Sequence, residues 1–90
     1  MPSEADTLLE RARRSSAGWR RQEIDRLYQG FGFRIRQGSN HDVVTHPDFL
    51  GNLELRGTLP RHSEIAKEYV RAAVKHIEKL KQLQAERGRE

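Results

Sequence analysis

Apolar side chains recur at helical spacing in the stretch that begins near residue 19. The residues at i, i+3, i+4 and i+7 are all apolar and share one face of a helix: Ile24, Leu27, Tyr28 and Phe31. Glycine tolerates a positive φ, so Gly30 and Gly32 provide positions where the helix can end and the chain can reverse. The pattern predicts a helix that starts near Trp19 and ends near Gly30.

The next two stretches have the two-residue period of β-strands. Residues 33–36 alternate apolar and basic side chains, so Phe33 and Ile35 are predicted to point toward the core. Residues 37–40 have the composition of a tight turn. Residues 41–46 contain three β-branched side chains and end before a proline. The sequence therefore predicts a hairpin of two strands.

A third strand and a long helix complete the predicted domain. Leucines of one parity lie along residues 53–59, which end at Pro60, and Gly57 is interpreted as a bulge in this strand. Ser63 is predicted to cap the last helix, which runs toward Gln84. Apolar residues repeat every three or four positions along this helix: Ile65, Tyr69, Ala73, Ile77 and Leu80.

Residues 19–84 are therefore predicted to form one α+β domain with the element order α-β-β-β-α. The strands form a three-stranded antiparallel sheet, both helices pack on one face, and the other face is open to solvent. Residues 1–18 are interpreted as a solvated, partly frayed extension that forms a short helix or is flexible. Thr7 and Glu10 have the spacing of a capping box, but a helix of about two turns is marginal alone. Residues 85–90 are predicted to be a charged tail.

Composition narrows the classes of protein that fit this domain. The chain has 90 residues, no cysteine and a net charge of +4. The lack of cysteine excludes a disulfide framework, a thiol nucleophile and cysteine zinc sites, and the positive charge favours an anionic partner such as nucleic acid. Apolar runs are only two or three residues long and the N-terminus is acidic, so neither a membrane span nor a signal peptide is expected. We expect a cytoplasmic protein.

Strand parity places polar side chains on the open face of the predicted sheet. Arg34 and Arg36 point away from the core because they alternate with apolar residues. On the second strand, taking Val44 as the inward residue places His41 outward, and the opposite assignment, with Val43 inward, stays open. A histidine beside two arginines on an exposed face is well placed to contact a phosphate group.

Three motifs in this order resemble the HicA (YcfA-like) toxins of bacterial toxin–antitoxin pairs: Gly38-Ser39-Asn40-His41, His46-Pro47 and Thr58-Leu59-Pro60-Arg61-His62. The resemblance covers roughly residues 19–84 and implies a fold like that of double-stranded-RNA-binding domains. It implies an endoribonuclease that cleaves messenger RNA and is inhibited by a HicB-like antitoxin protein. By this resemblance His41 is the catalytic histidine, and Gly38, Ser39 and Asn40 form the turn that presents it.

The chemistry of RNA cleavage suits these residue types. RNA carries its own nucleophile, the 2′-hydroxyl group, so no metal ion or other cofactor is expected. Histidine, with an ordinary pKa of ~6.5, can accept or donate the proton that must move. Arg34 and Arg36 can stabilise the charge on the phosphate, and backbone N–H groups near Gly38 can contact a phosphate oxygen. The expected products carry a cyclic phosphate and a 5′-hydroxyl group.

The three other histidines receive different interpretations. His46 lies an odd number of residues from His41, so on a regular strand it faces the other way and is expected at the edge of the core. His62 precedes the last helix and has two open roles, as a neighbour of the helix cap or as a contact to the RNA. His76 is expected on the surface of the long helix.

Two further functions remain open from the sequence. A non-catalytic RNA- or DNA-binding module would use Arg34, Arg36 and the basic helix ends for phosphate contacts, and its affinity would fall steeply with salt. A small interaction protein would instead use the long last helix. The oligomeric state and the RNA sequence that is cleaved do not follow from the residues.

Overall fold

The structure is a computed structural model that describes residues 3–88. Within that range the chain forms three α-helices, α1 (Glu4–Arg14), α2 (Arg21–Gly30) and α3 (Lys67–Arg87). Its strands are β1 (Trp19–Arg20), β2 (Arg34–Gln37), β3 (Asp42–Thr45), β4 (Gly57–Leu59) and β5 (Glu64–Ile65). Two short 3₁₀ helices, Pro47–Phe49 and Leu53–Leu55, connect β3 to β4.

The predicted α+β architecture is confirmed. Strands β2, β3 and β4 form an antiparallel meander in which each strand pairs with the next. Ile35 lies opposite Val44, and Val43 lies opposite both Arg36 and Thr58. The two helices that flank the meander in the chain, α2 and α3, contact each other. The element order α-β-β-β-α therefore describes residues from α2 to α3.

One hydrophobic core joins the sheet to the helices. Phe33, Val44 and Leu59 on the sheet are buried together with Ile24 of α2 and Ile77 of α3. Each such side chain stabilises the fold by about 1.5–3 kcal/mol when fully buried. The predicted parity of the second strand is confirmed, because Val44 is buried whereas its neighbours along the strand are only half-buried.

Helix α1 is part of this core, which corrects the interpretation of residues 1–18 as a frayed extension. Leu9 is 2% exposed, and α1 contacts both α2 and α3. Ala5 packs so closely on Gly30 that a side chain at position 30 would collide with it. Packing against other elements stabilises a helix that would be marginal alone. The capping box is formed by Ser3 and Asp6, not by the predicted pair.

The connection from β3 to β4 also differs from the prediction. Leu53–Leu55 form a 3₁₀ helix, which begins where the Asn52 side chain accepts a hydrogen bond from the Glu54 N–H at 2.9 Å. Strand β4 therefore has only three residues. Gly57 pairs regularly with Val44 and forms no bulge.

Two short paired strands, β1 and β5, shift the starts of α2 and α3 from their predicted positions. Trp19 pairs with Ile65 and Arg20 with Glu64, so α2 begins at Arg21 rather than at the predicted Trp19. Ser63 does not cap α3, because the N-cap position is Ala66; the Ser63 carbonyl accepts a hydrogen bond from the Arg21 N–H at 2.9 Å. The last helix begins at Lys67 and continues to Arg87. Its last turn thus includes part of the predicted tail, and residues 1, 2, 89 and 90 lie outside the described range.

Candidate functional site

The turn between β2 and β3 is the part of the molecule in which the proposed chemistry would lie. The Gly38 N–H donates a hydrogen bond to the His41 carbonyl at 3.1 Å. A Cβ atom at position 38 would collide with that same carbonyl, so the turn requires glycine there. Ser39, Asn40 and His41 are exposed. His41 stands just before β3 and not within it, as the predicted strand 41–46 would have placed it.

Arg61 fastens this turn to the segment that follows β4. Its guanidinium group donates hydrogen bonds to the carbonyl oxygens of Gly38 and Ser39. The same group donates to the Asp42 carboxylate at 3.0 Å. Because a guanidinium is planar and carries five N–H donors, one side chain can hold all three acceptors. Arg61 therefore fixes the backbone that presents His41.

Asp42 joins the turn to helix α2 through a second arginine. Its carboxylate, 16% exposed, accepts a hydrogen bond from Arg21 at 2.7 Å. Arg21 also donates to Asp25 at 2.7 Å and to the Pro60 carbonyl at 2.9 Å. The hydrogen bonds from Arg21 and then from Arg61 lower the pKa of Asp42 below its usual range. The carboxylate next to His41 is thus ionised at neutral pH and already paired with two cations.

His41 itself is left available to a ligand. Its side chain makes no hydrogen bond or ion pair to any residue in the range 3–88, and it is exposed. The adjacent Asp42 carboxylate accepts hydrogen bonds from Arg21 and Arg61 and none from the imidazole. The arrangement therefore holds the backbone rigidly and leaves the imidazole open to solvent.

The outer face of the sheet carries the two predicted arginines. Arg34 and Arg36 are exposed, whereas Ile35 between them is half-buried, as the parity predicted. Arg36 lies opposite Val43, two residues from His41, and Arg34 lies opposite Thr45, farther from the turn. Neither guanidinium forms an ion pair within the described part of the chain. The face therefore presents two unpaired positive charges beside the turn.

His46 lies at the edge of the core, as expected. It is 4% exposed. Its Nδ1 atom accepts a hydrogen bond from the Asp48 N–H at 3.2 Å, and Nε2 lies 3.2 Å from the Phe31 carbonyl. A backbone N–H can only donate, so this pattern assigns the proton to Nε2. The Asp48 N–H and the Phe31 carbonyl thus hold the His46 imidazole in place.

His76 is not the surface residue that was predicted. Its Nδ1 atom forms a hydrogen bond of 2.8 Å with the Tyr28 hydroxyl group. Burial lowers the pKa of His76 and raises that of Tyr28. Gly57 lies against the imidazole, and a Cβ atom there would come within 2.6 Å of the His76 Cε1 atom. His76 therefore contributes to packing between α2, α3 and β4.

His62 is exposed and lies away from the core. It lines an open pocket together with Arg20 and Arg61. This placement keeps its RNA-contact role open, whereas the capping role loses its basis because α3 begins at Lys67.

Sequence reasoning assigned no role to Arg21, Asp42 or Arg61. The sequence did contain a signal for Asp42. This residue has the same strand parity as the inward Val44, and a carboxylate on the inward face of a sheet needs a cationic partner. No local pattern identifies which cations it finds. Arg21 lies 21 positions away in the chain and Arg61 lies 19 away.

Comparison with known proteins finds no protein-family model, curated protein or solved structure that matches the chain. Within residues 3–88, no helix is long and apolar enough to cross a membrane. No group of three or more histidine, aspartate or glutamate side chains in this range is arranged to hold a metal ion.

Proposed function

We propose that the protein is a metal-independent endoribonuclease that cleaves messenger RNA with His41 as general acid and base. The observation that carries the proposal is the exposed imidazole of His41. The turn that carries it is held by Arg61 and by the backbone hydrogen bond from the Gly38 N–H to the His41 carbonyl. A proton-transfer group must be accessible to the substrate and must sit on a backbone that other contacts hold in position. His41 meets both conditions.

The reaction uses the nucleophile that RNA brings. The 2′-hydroxyl group attacks the adjacent phosphorus, His41 takes or supplies the proton, and the bond to the 5′-oxygen breaks. Arg36, near the turn, and Arg34 stabilise the negative charge that develops on the phosphate oxygens. The products carry a 2′,3′-cyclic phosphate and a 5′-hydroxyl group. General acid–base catalysis by one histidine contributes about 10²–10⁴-fold in rate.

The resemblance to HicA toxins extends the proposal to the biological role. The protein acts as the toxin of a type II toxin–antitoxin pair, and a HicB-like antitoxin inhibits it by covering the open sheet face. Expression of the protein alone should then slow bacterial growth, and His41→Ala should relieve the effect. An alanine variant that is equally toxic would contradict the assignment of His41.

Cleavage of a labelled single-stranded RNA in the presence of EDTA tests the enzymatic proposal directly. The wild type should cut the RNA, and His41→Ala should reduce the rate about 10²–10⁴-fold. Gln29→Ala is the control, since Gln29 is an exposed polar residue of α2 whose side chain makes no hydrogen bond within residues 3–88. The control should keep most of the activity. Products with a 5′-phosphate would rule out attack by the 2′-hydroxyl group.

A non-catalytic nucleic-acid-binding module is the second candidate, and one observation favours it. His41 lacks an orienting carboxylate within the described residues, because Asp42 is paired with Arg21 and Arg61. On this alternative Arg34 and Arg36 bind backbone phosphates, and His41→Ala leaves the affinity unchanged. RNA binding without cleavage by the wild type would select this alternative.

A further inference from the structure

An open pocket of about 340 Å³ lies between the start of α2 and the segment that precedes β5. It is formed where the Arg21 N–H bonds to the Ser63 carbonyl and where Arg20 pairs with Glu64. The residues that line it are mostly cationic or polar: Arg20, Arg21, Gln22, Arg61, His62 and Ser63. No carboxylate is among the lining residues, so the pocket suits an anion.

The charges around the pocket do not cancel. Arg21 and Arg61 are balanced by Asp25 and Asp42, with which they form ion pairs. The Arg20 side chain, in contrast, is exposed and forms no ion pair or hydrogen bond within the part of the chain that the structure describes. The Arg20 guanidinium therefore has no directly bonded counter-ion at the pocket, which His62 also lines.

The nearby carboxylates form no direct ion pair with the Arg20 guanidinium within residues 3–88. Glu23 accepts hydrogen bonds from the Arg20 backbone N–H and from the Arg11 side chain, and it interacts with the Arg20 charge only through space. Glu64, the cross-strand partner of Arg20, lines a neighbouring pocket that Arg20 lines as well, but the two side chains form no ion pair. An anion can reach the Arg20 guanidinium without displacing an existing partner.

Arg61 connects this pocket to the turn that presents His41. All three nitrogen atoms of its guanidinium donate hydrogen bonds to Gly38, Ser39 or Asp42, and the same side chain lines the pocket. The backbone of a nucleic-acid strand bound at the turn would pass next to this pocket. The pocket is thus linked to the turn of His41 through the side chain of Arg61.

We infer that the pocket formed by Arg20, Arg61 and His62 binds a phosphodiester group of the RNA strand, next to the phosphodiester that is cleaved at His41. The inference rests on the proposed function for the identity of the strand. Arg20 supplies the free charge and His62 a further hydrogen-bond donor or acceptor. Arg61 keeps the pocket and the turn at a constant separation.

Binding of a 2′-O-methyl RNA oligonucleotide tests the inference without cleavage, because this strand lacks the nucleophile. Arg20→Gln should weaken binding roughly fivefold, as loss of about 1 kcal/mol at an exposed ionic contact predicts. It should also reduce the slope of log K against log salt concentration by about 0.7, the value for one phosphate on a single strand. His62→Gln should weaken binding less.

Arg71→Gln is the matched control. Arg71 is an exposed arginine of α3 that lines none of the pockets near the turn, so its loss removes the same net charge. If Arg20→Gln lowers the affinity and the salt slope no more than Arg71→Gln does, the pocket is not a phosphate site. Thermal unfolding should give equal midpoints for both variants and the wild type, since neither side chain has a partner to lose.

The outcomes separate this inference from the proposed function. Cleavage of unmodified RNA together with equal binding by the two arginine variants would refute the pocket and leave the enzyme intact. No cleavage, with a selective loss in Arg20→Gln, would refute the enzyme and support the pocket. A loss seen only with a 5′-phosphorylated oligonucleotide, and not with its 5′-hydroxyl counterpart, would overturn the assignment to an internal phosphodiester.

Discussion

His41 and His76 occupy opposite environments in one small domain. His41 is exposed on a turn and its imidazole has no partner within residues 3–88, whereas its backbone is fixed by the Gly38–His41 bond and by Arg61. His76 is half-buried and its imidazole is hydrogen-bonded to Tyr28. The comparison shows that the fold fixes the backbone of one histidine and the side chain of the other. Only the first can meet a substrate.

Removing each of the two imidazoles in turn should give the largest effects, and the two variants should lose different properties. His41→Ala should reduce RNA cleavage about 10²–10⁴-fold and leave the thermal midpoint unchanged. His76→Ala should do the reverse, because it leaves a cavity and an unpaired Tyr28 hydroxyl group. We expect a loss of about 2 kcal/mol in the free energy of unfolding and of roughly 10 °C in the midpoint. Calorimetry and the cleavage assay measure the two effects.

A destabilised His41→Ala variant would show that the turn depends on the imidazole for its structure. An equally stable His76→Ala variant would show that the Tyr28 hydroxyl group finds water instead. Either result would remove the contrast between an available histidine and a structural one.

Arg61→Gln should loosen the turn without unfolding the domain. The glutamine cannot donate to Gly38, Ser39 and Asp42 together, so amide hydrogen exchange at residues 38–41 should accelerate roughly tenfold in the absence of RNA. Arg61→Lys should restore little, because an ammonium group lacks the planar fork of donors. Arg56→Gln serves as the control, since Arg56 is exposed and makes no side-chain hydrogen bond within residues 3–88. Unchanged exchange in Arg61→Gln would refute the positioning role.

The smallest expected effect is the dependence of stability on pH. Burial lowers the pKa of His76, so the unfolded chain binds a proton more readily than the folded chain. The stability from the neutral ring is fully present above the ordinary histidine pKa of ~6.5 and is lost as pH falls through the pKa of the folded state. The thermal midpoint should therefore fall between about pH 7 and pH 5, and by less in His76→Gln. Equal falls in both proteins would contradict this assignment.

Much of the fold follows from local patterns that tertiary contacts did not override. The two-residue alternation around Ile35 and the placement of Val44 inward were confirmed, as was the reversal at Gly32, which has a φ of 89°. The pattern was misleading at residues 53–55, where leucines of one parity form a 3₁₀ helix. Alternation is a reliable signal only where a neighbouring strand pairs with the segment, and here pairing starts at Gly57.

The candidate site was only partly predictable. His41 and its glycine turn were identified from a motif, and Arg34 and Arg36 from parity. The arginines that hold the turn were not identified, since each acts on groups about 20 or more positions away. An ion pair between distant residues leaves no periodicity in the chain, so only the folded geometry reveals it.

The amino-acid sequence by itself determined the order of α2, β2, β3, β4 and α3 and the faces of β2 and β3, because helix and strand periods are properties of neighbouring residues. The tertiary structure decided which polar groups meet. It brought His76 to Tyr28 across 48 positions, docked α1 on Gly30, and directed Arg61 to the turn that presents His41. These contacts depend on how whole elements pack, and packing selects partners by shape and charge rather than by distance along the chain.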